Sequence, residues 1–145
     1  MRNRRDKFGD AIARLQFTPI EMEIAFPGAS FDPDSEILKS ISLPDMDDVH
    51  VIATAVAAQA KTIVTYNGRH FPNRTLAPLG LRAESPDAFC LRLFGEAPAD
   101  VTEGARNHRA SLKRPPYDRG PYLDHLELLG LNRTADLLRT VLAAI

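Results

Sequence analysis

Three aspartates stand within four residues of the sequence, at Asp45, Asp47 and Asp48 in the segment LPDMDD. Carboxylates so close together repel one another, and a divalent cation would reverse that repulsion. A simpler role is also open, because Asp45 can cap the helix that follows, and all three carboxylates favour the positive end of the helix dipole. The pattern alone therefore leaves two interpretations, a metal or phosphate site and an acidic helix start.

The residues around the aspartates have the periodicity of a helix followed by a strand. Pro44 and Asp45 open a predicted helix that runs roughly from Met46 to Gln59. Its apolar side chains recur at spacings of three and four residues, and they are Val49, Ile52, Ala53 and Val56. The run TIVTY is short, β-branched and nearly all apolar. It therefore predicts a strand that is buried on both faces of a parallel sheet.

A second strand and a second helix are predicted after a turn at Asn67-Gly68. The run GLRAES is a candidate strand, and Ser85 and Pro86 then occupy the cap and the first position of a helix through DAFCLRLF. Helix, strand, loop, strand and helix in this order indicate an open α/β layer. Such layers bind ligands beside the carboxyl ends of their parallel strands, and a helix that begins there with aspartates fits that position.

The sequence changes character from Gly95 onward, because no strand pattern remains. The segments ADVTEGARNHRASLKRPP, YDRGPYLDHLELLG and LNRTADLLRTVLAAI each predict a helix, the first ended by two prolines and the third capped near Asn132. We therefore predict one domain over residues 1–95 and a helical extension over residues 96–145.

Composition excludes several classes of protein. The chain has 145 residues and a formal net charge of -1, so no overall positive field marks it as a nucleic-acid binder. Its single cysteine excludes an internal disulfide, as suits a reducing compartment. No apolar run approaches the roughly 20 residues that a membrane-spanning helix needs, and no signal-peptide core is visible. These features predict a cytoplasmic protein with no membrane association.

The stretch LPDMDDVHVIATAVAAQAKTIVTYNGRHFP, followed by LAPLGLRAESPDAF, resembles the C-terminal half of a PIN domain. Within that family it is similar to the VapC-like toxins of bacterial type II toxin–antitoxin systems. The tail, with SLKRPP and a closing amphipathic helix, resembles the helical extension of one branch of these toxins. The implied fold is α/β: a truncated PIN-like three-layer domain with a parallel sheet, followed by a small C-terminal helical extension.

The resemblance implies a metal-dependent endoribonuclease whose carboxylates bind Mg²⁺ or Mn²⁺ to activate water for attack on RNA. Asp48 matches the family's third acid, and Asp45 and Asp47 flank it as further metal ligands. Asn67 lies where the family places Asn or Asp at the end of a strand, with the hydroxyl of Thr65 directed at the same site. The resemblance thus implies that both residues are catalytic, together with Asp47 and Asp48. Hard divalent cations prefer such oxygen ligands.

Two features depart from the family pattern. PIN domains begin with a strand that ends in an Asp and a helix that supplies a Glu, and this sequence opens past both elements. In addition, His70 stands where the family has a carboxylate, and an imidazole is a poor ligand for Mg²⁺. The resemblance therefore implies half of an acidic site, which weakens both metal affinity and catalysis.

Three explanations fit these departures: a separately encoded half, a truncated or mis-started toxin, and a degenerate relative that only binds. We favour the first two, because the remaining motif is intact. The leading hypothesis is a ribonuclease acting on RNA, with a VapB-like antitoxin or a complementary N-terminal PIN half as its partner in a homo- or hetero-oligomer. The alternative is a non-catalytic PIN-like module that binds antitoxin or RNA.

Basic side chains offer candidate contacts to RNA phosphates. Arg4 and Arg5 belong to a basic start, and Arg69 and His70 follow the predicted strand and turn. An ordinary solvated surface, with these charges balanced by Asp and Glu elsewhere, is the other interpretation.

Overall fold

The computed structural model describes residues 20, 22–41, 43, 45–112 and 118–145. Contacts between Cα atoms divide the chain into two compact units, Met1–Ala60 and Lys61–Ile145. Among the described residues, no helix is long and apolar enough to cross a lipid bilayer. Arg4 and Arg5 lie outside the described residues, so their role stays a prediction.

The described part of the first unit is helical. Its elements are helical residues 20 and 22–25, α1 (Ser35–Ser40), a 3₁₀ turn (Met46–Asp48) and α2 (Val49–Ala57). Asp34 caps α1, because its carboxylate accepts hydrogen bonds from the N–H groups of Glu36 and Ile37. The N–H of Asp34 also donates to the carbonyl of Ala53 at 3.2 Å, which joins the start of α1 to α2.

The predicted helix after the aspartates is confirmed, with its first turn tightened to 3₁₀ geometry. Val49, Ile52 and Ala53 on its predicted apolar face are buried, and Val56 is partly buried. The spacing of three and four residues therefore identified the covered face of α2 correctly.

The second unit begins with a sheet of two parallel strands, β1 (Thr62–Val64) and β2 (Arg82–Glu84). Thr62 pairs with Arg82 and Val64 with Glu84. The intervening segment holds a 3₁₀ turn (Gly68–His70), the short helix α3 (Asn73–Leu76) and a second 3₁₀ turn (Ala77–Leu79). The described chain is thus mixed α/β with a small parallel sheet, as the sequence predicted.

The prediction that TIVTY is buried on both faces was wrong. Ile63 is buried, whereas the side chain of Val64 is 43% exposed and that of Tyr66 is 66% exposed. Successive side chains of a strand point to opposite faces, so only the face that carries Ile63 is covered. An all-apolar run cannot reveal this difference, because burial of the second face depends on whether another layer covers it.

In the described part of the chain, four helices follow the sheet: α4 (Pro86–Glu96), α5 (Pro98–Ser111), α6 (Arg119–Leu128) and α7 (Asn132–Thr140). A last 3₁₀ turn spans Leu142–Ala144. The predicted start of α4 is confirmed, since the Ser85 hydroxyl accepts from the N–H of Ala88 and Pro86 is the first helical residue. The three helices predicted for the tail are also present, although the two prolines after the first lie outside the described residues.

A buried hydrophobic cluster of the second unit lies between α6, α7 and the last turn. It is formed by Tyr122, Leu123, Leu126, Ala135, Leu138 and Ile145. Two guanidinium groups hold the last turn: Arg106 donates to the carbonyl of Ala144, and Arg119 to that of Ile145, each at 2.7 Å. A mainly apolar cavity of about 560 Å³ lies among the four helices, and Cys90, Leu93 and Tyr122 are part of its lining.

The helix predicted to begin near Asn132 is present, but no side chain near Asn132 caps it. Leu131 occupies the N-cap position of α7 and makes no side-chain capping bond. The N–H groups of Arg133 and Thr134 instead donate to the carboxylate of Asp87, which belongs to α4. A helix start always presents unpaired N–H groups, and here a residue from another helix accepts their hydrogen bonds.

Candidate functional site

The acidic turn, which we define as Asp45, Asp47 and Asp48, is organised by hydrogen bonds within itself. The Asp45 carboxylate accepts from the N–H of Asp47 at 3.0 Å, and the Asp45 carbonyl accepts from the N–H of Asp48 at 3.3 Å. Asp45 therefore acts as the predicted helix cap. Asp48 occupies the next N-cap position, before α2, where its side chain makes no capping bond.

The acidic turn also brings two carboxylates close together. Ligand oxygens of Asp45 and Asp48 lie within 4.8 Å of each other, with Asp45 and Asp47 exposed and Asp48 partly buried. Two oxygens bound to one Mg²⁺ at about 2.1 Å lie about 3 to 4 Å apart. A small rotation of either side chain would therefore bring the two carboxylates to the separation that one Mg²⁺ requires. The donor set, two carboxylates of which Asp45 is exposed and Asp48 partly buried, therefore fits a hard divalent cation while Asp45 still caps the helix.

The loop after β1, which we define as residues 65–70, is fixed at its first residue. The N–H of Thr65 donates to the carbonyl of Glu84 at 2.9 Å and thereby continues the pairing of the two strands. The Thr65 hydroxyl accepts from the N–H of Asn67 at 3.0 Å, a local turn that Ser and Thr side chains commonly form. The predicted site residue Thr65 thus shapes the loop that carries Asn67.

Three other predicted site residues lie in the same loop. Asn67 stands at the N-cap position of the 3₁₀ turn without a side-chain capping bond, and its carbonyl accepts from the N–H of His70 at 2.9 Å. Asn67 and Arg69 are exposed, and His70 is partly buried. An exposed amide and an exposed guanidinium two residues apart can donate to phosphate oxygens.

Glu84 also ends a parallel strand, but its carboxylate is held by arginines. Arg92 donates to it from Nε at 3.1 Å, and Arg82 approaches within 2.6 Å. The hydrogen bond from Arg92 is the main cause that lowers the pKa of Glu84. This carboxylate is therefore part of an ion-pair network, and it does not replace the carboxylate missing at His70.

Two residues that sequence reasoning did not single out connect the loop and α4 to the last helices. The Tyr66 hydroxyl donates to the carbonyl of Leu129 at 2.6 Å, and Asp87 accepts from the hydroxyl and the N–H of Thr134. The partners are 63 and 47 positions apart, respectively. The acid of Ser-Pro-Asp indicated only a local helix start, and no sequence signal identified its distant partner.

The environment of Asp87 favours its charged form. Partial burial acts to raise its pKa, but the hydrogen bonds from Thr134 and Arg133 outweigh burial, and the pKa of Asp87 is lowered. Burial has the opposite net result at the thiol of Cys90, because it raises the pKa there, and the nearby Asp87 charge adds to this effect. Asp87 is thus a structural anion in the second unit.

Comparison with known proteins finds a family match in the C-terminal part of the chain. The family model described as "VapC50 C-terminal domain" matches residues 86–140, which is α4 to α7. The chain is also 48% identical over 60 residues to the "Putative ribonuclease VapC50" of Mycobacterium tuberculosis. That match covers 39% of this chain and 36% of the relative, so the chain spans about a third of the relative's length.

No solved structure matches the chain. The family model and the relative nevertheless agree with each other and with the resemblance noted in the sequence. That resemblance is confirmed for the C-terminal part of the chain, which is similar to the C-terminal domain of VapC50.

Proposed function

We propose that this chain is the metal-dependent endoribonuclease component of a toxin–antitoxin system. The resemblance to VapC-like toxins and the name of the relative support the reaction class. The observation that carries the proposal to this chain's own residues is the proximity of the Asp45 and Asp48 carboxylates, whose oxygens lie within 4.8 Å.

In this proposal the acidic turn holds one Mg²⁺ or Mn²⁺. Asp45 and Asp48 supply oxygen ligands, and Asp47 contributes directly or through water. When bound, such an ion lowers the pKa of a water molecule and stabilises negative charge on a phosphate. Asp45 also caps its helix turn through the N–H of Asp47, and this bond restricts the side chain before metal binds.

The residues of the loop after β1 are assigned to RNA binding. Asn67 and Arg69 donate to phosphate or sugar oxygens, and His70 binds phosphate as a hydrogen-bond donor. Thr65 keeps the loop in shape through its bond to the N–H of Asn67. Arg4 and Arg5 add positive charge that attracts the RNA backbone.

The proposed assembly includes a partner that completes the acidic site. A complementary N-terminal PIN half or a VapB-like antitoxin would pair with this chain in a homo- or hetero-oligomer. Exposed apolar side chains in the first unit support a partner, because such patches mark interaction surfaces; they are Ile20, Met22, Ile24 and Phe26.

We infer further a truncated PIN-like three-layer domain over residues 1–95, an extension over residues 96–145, and a location in the cytoplasm.

The test measures cleavage of a labelled RNA by the full chain, with and without the complementary half, in Mn²⁺ and in excess EDTA. Asp48→Asn is the critical variant, because it removes a charge at nearly constant size. Asp32→Asn is the matched control, since Asp32 is an exposed aspartate outside the acidic turn. We expect cleavage that EDTA and Asp48→Asn abolish and that Asp32→Asn retains. Equal cleavage by Asp48→Asn and wild type would refute the assignment.

The exposed apolar side chains of the first unit also favour a second candidate, a PIN-like module that binds antitoxin or RNA without cleaving it. Under this alternative the protein would bind RNA or antitoxin with an affinity that Asp48→Asn leaves unchanged. RNA cleavage in Mn²⁺ separates the two candidates, because only the ribonuclease cleaves RNA. Metal titration of the free protein separates a third option, a structural subunit whose aspartates only cap a helix, since pure capping predicts no specific Mn²⁺ binding.

A further inference from the structure

We propose that Tyr66 is a positioning residue, through which the turn between α6 and α7 sets the conformation of the loop that carries Asn67. This inference rests on the proposed function, because it gives that loop a role in binding RNA. It gives the C-terminal helices a role in RNA binding by the loop after β1.

The acceptor for Tyr66 is fixed by the backbone of the α6–α7 turn. Gly130 has a positive φ of 82°, its N–H donates to the carbonyl of Glu127, and the N–H of Leu131 donates to the carbonyl of Leu126. These two bonds form a Schellman motif, which ends a helix in a defined geometry. The carbonyl of Leu129 belongs to the same turn and accepts from the Tyr66 hydroxyl at 2.6 Å.

The ring of Tyr66 contacts the same turn. A Cβ added at Gly130 would lie 3.5 Å from Cε1 of Tyr66 and 3.9 Å from its hydroxyl. A Cβ there would make only ordinary van der Waals contact with the ring, so the left-handed backbone alone is the reason that glycine is favoured at this position. Because Tyr66 is 66% exposed, burial of apolar surface explains little of this arrangement, and the directional hydrogen bond accounts for its geometry.

The two sequence neighbours of Tyr66 are Thr65 and Asn67, the second of which is the proposed RNA contact. Thr65 is held by the carbonyl of Glu84, and its hydroxyl accepts from the N–H of Asn67. Tyr66 stands between these two residues, so a fixed phenol restricts the backbone on both sides of it. Asn67 is thus positioned by the end of the sheet and by the α6–α7 turn together.

A second contact holds that turn in place relative to the sheet. Asp87 follows β2 by three residues and accepts hydrogen bonds from the hydroxyl and N–H of Thr134, near the start of α7. Hydrogen bonds of Asp87 therefore connect the end of β2 to α7. The hydrogen bond from Tyr66 to Leu129 connects the turn before α7 to the end of β1. We therefore expect a movement of the C-terminal helices to change the backbone conformation at Asn67.

The test compares Tyr66→Phe with wild type in the full chain, supplied with its complementary half where cleavage needs one. The variant keeps the ring and removes the donor. We expect the KM for RNA to rise about two- to tenfold, the change equivalent to one net hydrogen bond, with kcat within about twofold. A purely structural role would instead lower kcat through loss of folded protein and leave KM unchanged.

A second readout needs no RNA. Amide hydrogen exchange at Asn67 should accelerate in Tyr66→Phe by a similar factor, because the loop loses its anchor. Tyr122→Phe is the matched control, since it removes a tyrosine hydroxyl that contacts Nδ1 of His108 at 3.0 Å. That control should leave both the KM and the exchange at Asn67 as in wild type.

The outcomes are separable. Unchanged exchange at Asn67 in Tyr66→Phe overturns the positioning role, whether or not the protein cleaves RNA. Faster exchange with an unchanged KM, in an active wild type, overturns it as well. If wild type cleaves no RNA, the proposed function fails, while the exchange measurement still decides whether Tyr66 couples the turn to the loop.

Discussion

The Asp87 carboxylate on α4 accepts hydrogen bonds from both the hydroxyl and the N–H of Thr134 on α7, at 2.7 and 2.8 Å. A third donor, the N–H of Arg133, lies at 3.2 Å. One anion thus supplies the helix cap that Leu131 cannot provide, and it joins the first and last helices of the matched C-terminal part. Acidic groups at helix starts also gain from the helix dipole.

Removal of the Thr134 hydroxyl should destabilise the second unit. Thr134→Val keeps the shape of the side chain but deletes a hydrogen bond to a charged group, which is worth about 1.5–3 kcal/mol. Thr134→Ser is the control, because it keeps the hydroxyl and loses only a methyl group. Urea unfolding measures both variants. Equal stability of the Val and Ser variants would show that the hydroxyl contributes nothing.

The same anion predicts a dependence of stability on pH. The pKa of Asp87 is lower in the folded chain than its usual value of about 3.9. Its stabilisation is therefore fully present above about pH 4 and is lost as the pH falls through the folded-state pKa. The difference in Tm between wild type and Asp87→Asn should be large at about pH 7 and smaller at about pH 3. A difference that does not change with pH would contradict this assignment.

The double role of Asp45 can be separated by one substitution. Asn is as good an N-cap as Asp, so Asp45→Asn should change stability by less than about 0.5 kcal/mol, whereas Asp45→Ala should cost about 1 kcal/mol. Both variants should weaken Mn²⁺ binding at least about tenfold, a loss that even outer-shell changes produce at metal sites. Calorimetric titration with Mn²⁺ and thermal unfolding give the two readouts. Wild-type Mn²⁺ affinity in Asp45→Asn would leave capping as the role of Asp45.

Cys90 should react slowly for a cysteine. Burial raises the pKa of its thiol, the Asp87 charge raises it further, and only the thiolate is the nucleophile. At about pH 8, alkylation by iodoacetamide should therefore be slower than that of a free thiol with a pKa of about 8.5, and it should continue to accelerate above that pH. The urea-unfolded chain is the control. A native rate equal to the unfolded one would contradict the shift.

The elements that depend on neighbouring residues were predictable from sequence. The spacing of Val49, Ile52 and Ala53 identified the buried face of α2, and Ser85-Pro86 located the start of α4. The Asp45 cap is equally local, because its hydrogen bond reaches only two residues along the chain. Each of these features has its cause within one or two turns of the backbone.

Features that depend on distant partners were not predictable. Asp87 and Thr134 are 47 positions apart, and a Ser-Pro-Asp sequence serves equally well at any helix start. The exposure of Val64 is of the same kind, because an apolar strand residue is buried only where another layer covers it. For the candidate site, the type and spacing of the aspartates were sufficient to predict carboxylates in one turn, whereas the Tyr66 contact required the fold.

The Schellman motif at Gly130 has a consequence for the order in which the second unit folds. Its two backbone bonds join residues at most five positions apart, so α6 and its turn can form from local interactions. The bond from Tyr66 to Leu129 joins residues 63 positions apart. Closing so long a loop costs more conformational entropy than forming a local hydrogen bond. We therefore expect the α6–α7 hairpin to form early, so that the segment after β1 docks late, onto an acceptor that is already in place.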